Sequence, residues 1–255
     1  MLAHADKKSA FQLGLTIFIY LAILTGLEYY VAISTASVLL LSLIALVKAG
    51  LVVYYYMHIY RLYQASEGDP DSYEYKAGTL RLGLWLFLLS DAFVFGGLAV
   101  ARFNLLGLTR PGLNQGLGLI VTSVLLLSSF FMNRAETAIA HGDRRAFVTS
   151  LLVTLLLGAG FLVGVVGVEW PSAIHEGITP SANAAGAIFF MMTGMHAFHV
   201  LTGVLFLLII LRNGLRGLYS PERHRAVEAA AVYWHFVDVV WIFFYPALYL
   251  IGTVL

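Results

Sequence analysis

The chain has 255 residues, of which 60% are hydrophobic and only 11% charged, and its formal net charge is +1. A soluble protein of this length cannot hide so much apolar surface, so the composition excludes a water-soluble domain and defines a polytopic membrane protein. No basic excess exists to neutralise phosphates, which excludes nucleic acid as a partner, and the lack of cysteine excludes disulfides, iron–sulfur clusters and thiolate zinc sites.

A membrane-crossing helix needs about 20 apolar residues. The hydropathy predicts seven, at roughly 11–33, 37–60, 80–103, 115–135, 147–168, 184–211 and 229–252, an all-α fold. Met1-Leu-Ala-His-Ala-Asp-Lys-Lys8 leads into the first apolar run without a small-residue cleavage signal, so a retained first helix is expected instead of a signal peptide. The first two helices are joined by little more than Ile33-Ser-Thr-Ala-Ser37, which predicts a tight hairpin over residues 1–62. In such a hairpin Glu28 lies about 8 Å and Lys48 about 16 Å below the turn, a gap that a lysine stem can span. A Glu28–Lys48 ion pair is therefore expected, the alternative being a Lys48 that snorkels alone.

Tyr63-Gln-Ala-Ser-Glu-Gly-Asp-Pro-Asp-Ser-Tyr-Glu-Tyr-Lys76 is the longest polar stretch, and its Gly, Pro, Ser and acidic content predicts a linker over 63–78 ahead of a five-helix bundle over 79–255. Lys7, Lys8, Arg61, Lys76, Arg81 and the arginines from 134 to 225 fall on one side, against Arg102 and Arg110 on the other, so the N-terminus is expected inside and the C-terminus outside. Val168-Glu-Trp-Pro-Ser172 and Gly177-Ile-Thr-Pro-Ser-Ala-Asn183 are expected to form one sizeable outer loop, with Trp170 as an interface anchor and Ser181 or Asn183 capping the sixth helix. Gly26, Gly50, Gly96, Gly97, Gly158, Gly160, Gly164, Gly194 and Gly203 are expected at close helix contacts.

The informative residues are the ionisable ones inside these spans: Asp91, His196, His199, Glu228, His235 and Asp238. Each costs roughly 2.5–3.5 kcal/mol in hydrocarbon even on the lenient insertion scale, so each must face protein or trapped water. On a helix, 228, 235 and 238 share one stripe, and 196 and 199 share a face at i, i+3. Two readings follow. The group is either a carboxylate–imidazole metal site or a hydrogen-bonded network that locks helices together, and the missing paired Glu-x-x-His pattern of di-iron bundles favours the network, with no metal or other cofactor in this chain. Arg212, Arg216, Arg223 and Arg225 either hold anionic lipid headgroups or serve only to set topology.

Tyr233-Trp-His-Phe-Val-Asp-Val-Val-Trp241, preceded by Glu228-Ala-Ala-Ala231, resembles the last transmembrane helix of subunit III of the haem-copper terminal oxidases, and Thr193-Gly-Met-His-Ala-Phe-His-Val200 resembles its penultimate helix, whose histidines are structural. Leu82-Gly-Leu-Trp-Leu-Phe-Leu-Leu-Ser-Asp91 resembles the third helix, with Asp91 where that family usually carries Glu. This resemblance covers about residues 80–252 and implies the five-helix form. Leu24-Thr-Gly-Leu-Glu28 and the segment from Leu46 to His58 resemble the small prokaryotic subunit IV of the same oxidases. The resemblance implies a non-catalytic accessory subunit of a proton-pumping cytochrome c oxidase in a prokaryotic cytoplasmic membrane. It would pack beside catalytic subunit I and subunit II, which hold the haem and copper, retain structural phospholipid in a cleft, and keep the proton entrance supplied. A larger respiratory supercomplex is compatible with this. Glu136, His141, Asp143 and His224 are the expected proton-collecting groups of the inner surface. The alternatives are the corresponding subunit of a quinol oxidase or nitric-oxide reductase, a standalone transporter or proton channel, for which no inverted repeat is found, and an intramembrane metalloenzyme.

Overall fold

The computed structural model describes residues 7–63 and 73–254. Most of the expected linker, residues 64–72, lies outside them. The described chain carries seven helical runs long and apolar enough to cross a membrane. They comprise α1 (Lys7–Ser34), α2 (Val38–Leu51), α3 (Tyr73–Leu106), α4 (Gln115–Ala140), α5 (Arg144–Leu162) with the short α6 (Trp170–His175), α7 (Ala184–Leu215) and α8 (Arg225–Tyr245). Short polar connections start the helices with side-chain caps. Asn114, Asp143 and Asn183 accept from the backbone amides of Leu117, Ala146 and Gly186, which satisfies N–H groups that have no intrahelical acceptor. Of the two caps offered for the helix after the outer loop, Asn183 is the one used. Gly142 and Gly217 end α4 and α7 at φ +75° and +74°, a left-handed conformation that only glycine adopts cheaply.

α8 is apolar nearly all round and is correspondingly the buried axis of the molecule, with Trp234, Trp241, Phe244 and Tyr245 almost wholly enclosed. α2, α3, α4 and α7 pack against it, and α4 and α5 form the closest helix pair. The α1–α2 hairpin does not stand apart. α1 runs along α4, and the end of α2 packs on α8. Between α2, α3 and α8 a cleft of about 490 Å³ opens, lined by apolar side chains such as Phe95, Phe103, Phe236 and Phe243.

Three π-helical turns interrupt the spans: Val52–Tyr56 after α2, Val163–Glu169 after α5, and Pro246–Leu250 after α8. The last begins at a proline, which lacks the N–H that an α-helical ladder would need there. The second carries α5 onward through Trp170 to His175, so the segment from Val168 to Ser172 is helical and the expected outer loop is shorter than the sequence suggests. Pro171 misleads in the sequence because it reads as a helix stop, whereas the π-turn just before it leads the helix on and Pro171 lies in the first turn of α6. A parallel bridge, Thr109–Arg110 (β1) with Thr253–Val254 (β2), ties the C-terminal residues to the loop after α3.

Candidate functional site

The intramembrane polar residues sit around α8, and they do not form one network. Four separate contacts take up five of the six, while Asp238 is fully buried beside Ser129 without an ion pair. His199 Nε2 of α7 lies 3.2 Å from Asp91 Oδ2 of α3, while its Nδ1–H donates to the carbonyl of Met195. His196, one turn earlier and fully buried, donates from Nε2 to the carbonyl of Val237 at 3.0 Å. His235 bonds the Ser129 hydroxyl of α4 at 3.2 Å through Nδ1. Glu228 faces Arg61 and Arg81 at 3.2 and 3.0 Å, at the arginine-rich end of the bundle and not at mid-depth. The single stripe expected for 228, 235 and 238 is real, but the stripe runs past different neighbours at different depths. Among the described residues no group of three or more histidines, cysteines or carboxylates is arranged to hold a metal ion.

Across the front hairpin Lys48 donates to Glu28 at 2.5 Å with both side chains fully buried, the arrangement expected from their spacing. Lower on the same seam the Tyr56 hydroxyl donates to the carbonyl of Gly14, and its ring lies 5.1 Å from that of His235. The π-turn is what aims Tyr56 inward. At the opposite end of the bundle another π-turn presents Glu169 to Tyr249, whose hydroxyl donates at 2.5 Å. Sequence reasoning passed over both tyrosines, Glu169, and the partners of Glu228.

Glu136 is a correction to the surface reading. It is only 4% exposed and lies 3.4 Å from Arg61 and 3.9 Å from His58, inside a cluster completed by Glu228 and Arg81. The reason is its place on the α4 face that meets the end of α2. Asp143 is capping α5 and is paired with Lys7, and the Ala146 amide with that lysine holds its carboxyl below the usual range. His141 and His224 do lie at this end, bonded to the carbonyls of Thr137 and Ser220. Of the four arginines expected to meet lipid, Arg225 lines a second cavity of about 370 Å³ with Arg81, His58 and Trp85, whereas Arg212, Arg216 and Arg223 lie outside it on the exposed rim. His58 holds a left-handed backbone at φ +51°, and burial first, then the Arg61 guanidinium, push its imidazole down to about 3.

Arg102 is the largest omission. Counted from sequence only as a topology marker, it is fully buried and donates to the carbonyls of Ala247, Gly107, Thr109 and Ile251 at 2.6–2.9 Å, which pins the chain's end to the top of α3. Trp170, expected as an interface anchor, is half-buried, and its indole nitrogen donates to Thr193 at 3.0 Å. Of the glycines, 158, 164 and 203 meet neighbouring side chains closely, whereas 26, 50, 96, 97 and 160 face open space along the cleft or the outer surface.

Seven spans whose buried imidazoles bond carbonyls and hydroxyls define a polytopic helical membrane protein. The sequence profile described as cytochrome c oxidase subunit III matches residues 3–253, and the chain belongs to that family. It is 35% identical over 190 residues to the cytochrome c oxidase subunit 3 of Papio hamadryas, covering 69% of this chain and 70% of that one. It is also 35% identical over 191 residues to the quinol oxidase subunit 3 of Bacillus subtilis, covering 72% and 93%. The cytochrome c oxidase subunit 3 of Gadus morhua is 35% identical over 189 residues, covering 68% of this chain and 70% of that one.

Proposed function

We propose that this chain is an accessory scaffold of a proton-pumping haem-copper oxidase, does no redox chemistry itself, and holds structural phospholipid beside the catalytic subunits I and II. The observation that carries this reading is the family match over residues 3–253 together with polar contacts that each end on a carbonyl, a hydroxyl or an opposite charge. The cleft between α2, α3 and α8 supports the lipid role. Its apolar wall accepts acyl chains, and the cavity with Arg81 and Arg225 lies at the arginine-rich end, where a phosphate would meet guanidinium groups. In this reading the arginine-rich end faces the cytoplasm of a prokaryotic cell, and the chain lies in its cytoplasmic membrane.

The front hairpin belongs to the same reading as a unit resembling subunit IV that is fused to a five-helix subunit III. Its internal Glu28–Lys48 pair, which links the two helices of the hairpin to each other, supports this. The family match starts at residue 3 and also takes in these helices. Expressing residues 1–62 and 79–255 as separate chains tests the fusion: reassembly of the two supports it, and failure of both to assemble assigns the hairpin to subunit III itself.

The function is tested by gentle solubilisation from a tagged chain, an optical spectrum and a subunit inventory. A haem-bearing partner should copurify, with phospholipid detected by mass spectrometry. A chain purified intact without any haem protein overturns the proposal. The likeness to a quinol oxidase subunit favours a second reading with quinol as the electron donor. Oxygen consumption by the same preparation with reduced cytochrome c or with quinol separates the two.

A further inference from the structure

The charged groups facing one another between the front hairpin and α4/α8 do not balance. At the arginine-rich end they do: Glu136 and Glu228 face Arg61 and Arg81. Above them, α1 contributes Glu28, α2 contributes Lys48, and α8 contributes Asp238 and His235. α4 offers only the neutral Ser129 and Asn133, while the π-turns and the end of α8 add the phenols Tyr56 and Tyr245. That makes two carboxylates against one ammonium, with all four ionisable side chains fully buried.

Lys48 is already committed to Glu28. No ion pair neutralises Asp238, whose polar neighbours are the Ser129 hydroxyl, which also bonds His235, and the charge of Lys48. His235 Nε2, Glu28 Oε1 and the Tyr245 hydroxyl are unpartnered. A buried polar atom left unpaired costs about 1–3 kcal/mol, and a buried net charge costs more. At the lower edge of this seam lies a cavity of about 80 Å³, in whose lining Tyr56, His58, Asn133 and Thr137 stand among apolar residues such as Leu13 and Ile17. About 10–15 Å³ of such space suffices for one water molecule, so the cavity has room for several. Its Tyr56 wall packs on His235, with the two ring centroids 5.1 Å apart.

We propose that this seam binds one exchangeable proton on the Asp238–His235 pair, delivered by water in the cavity beneath Tyr56 and His58. The proton makes the seam electrically neutral and lets the hairpin dock on α8. It comes from bulk water at the arginine-rich end and rests either on the Asp238 carboxyl or on the His235 imidazole, with no other bond made or broken. The site is separate from the Asp91–His199 contact, which lies on the other side of α8.

Infrared difference spectroscopy on the purified complex, comparing wild type with variants in H2O and D2O, tests this. Wild type should show either a protonated-carboxyl stretch or an imidazolium ring band that shifts in D2O and is absent in Asp238→Asn. The decisive variant is Glu28→Gln, which is isosteric, leaves Asp238 and His235 in place, and removes the surplus acid. Lys48 then balances Asp238, so the same band should disappear. Asp91→Asn should leave it unchanged. A band that persists in Glu28→Gln, or a wild type with neither band, overturns the proposal, and a band that resists exchange in D2O overturns the water connection. Should Asp238→Asn fail to assemble, the Glu28→Gln comparison decides alone.

Discussion

The indole of Trp234 stands against the backbone of Gly158, so close that a Cβ built on the glycine would lie 2.5 Å from the ring. Gly203 of α7 approaches the same ring from another side, with a built Cβ at 2.9 Å, and the indole nitrogen donates to Ser128 of α4 at 3.0 Å. One residue of α8 thus fixes the spacing of three helices. Gly158→Val is expected to destabilise the chain by about 1–3 kcal/mol through overpacking. Gly160→Val, at a position with nothing within 4 Å, should be close to neutral. Thermal unfolding of the two variants in the same detergent makes the comparison, and equal melting points would refute the wedge.

Lys48→Met leaves Glu28 buried without its ion-pair partner and is expected to cost about 3–5 kcal/mol. The double variant Glu28→Leu with Lys48→Met should recover most of that loss, because a buried pair is often replaceable by apolar side chains. Denaturation of single and double variants gives the coupling energy. A double variant as unstable as Lys48→Met would show that the pair does not act as a unit.

Arg102→Lys keeps the charge but replaces a fork that reaches four carbonyls with an ammonium that has three donors and a different reach. At roughly 1–3 kcal/mol for each buried acceptor left unpaired, the expected loss is several kcal/mol, concentrated at the chain's end. Carboxypeptidase digestion should release the β2 residues Thr253 and Val254 much faster from the variant. Equal rates would contradict the pin.

Stability should fall on mild acidification because of His58. Its imidazole is pushed from 6.5 to about 3, so it stays neutral when folded while the unfolded chain takes up a proton. Its contribution is complete above 6.5 and is lost as pH falls from there towards 3, at up to about 1.4 kcal/mol per pH unit. Asp143, held below 3.8, contributes fully above that value and loses its contribution only in stronger acid, so it is silent in this window. His58→Asn tolerates the positive φ and should flatten the melting-temperature profile roughly between pH 7.5 and 5.5. An unchanged slope would assign the acid sensitivity elsewhere.

Much of the fold was legible in the sequence because membrane insertion depends on length and hydropathy, which are properties of single segments. The seven spans, the tight hairpin, the Glu28–Lys48 pair and the motif-rich last helix all follow from local spacing. Trp234 and Trp241, seven residues apart, and the hydroxyls of Ser128 and Thr122 on an antiparallel neighbour also carried a signal, since matched spacings let both indoles find acceptors. What stayed hidden depends on which helix faces which. Whether Glu136 meets water or Arg61, whether Arg102 marks a topology or grips four carbonyls, and whether Pro171 ends a helix or opens one are decided by neighbours that are distant in the chain. The π-turns belong here as well. They rotate Tyr56, Glu169 and Tyr249 by a fraction of a turn, and only the packed bundle makes that rotation favourable. Sequence alone therefore determined what enters the membrane and which charges need a partner. Tertiary structure decided which partner each one has, because the pairing energy depends on distances between helices that no local pattern contains.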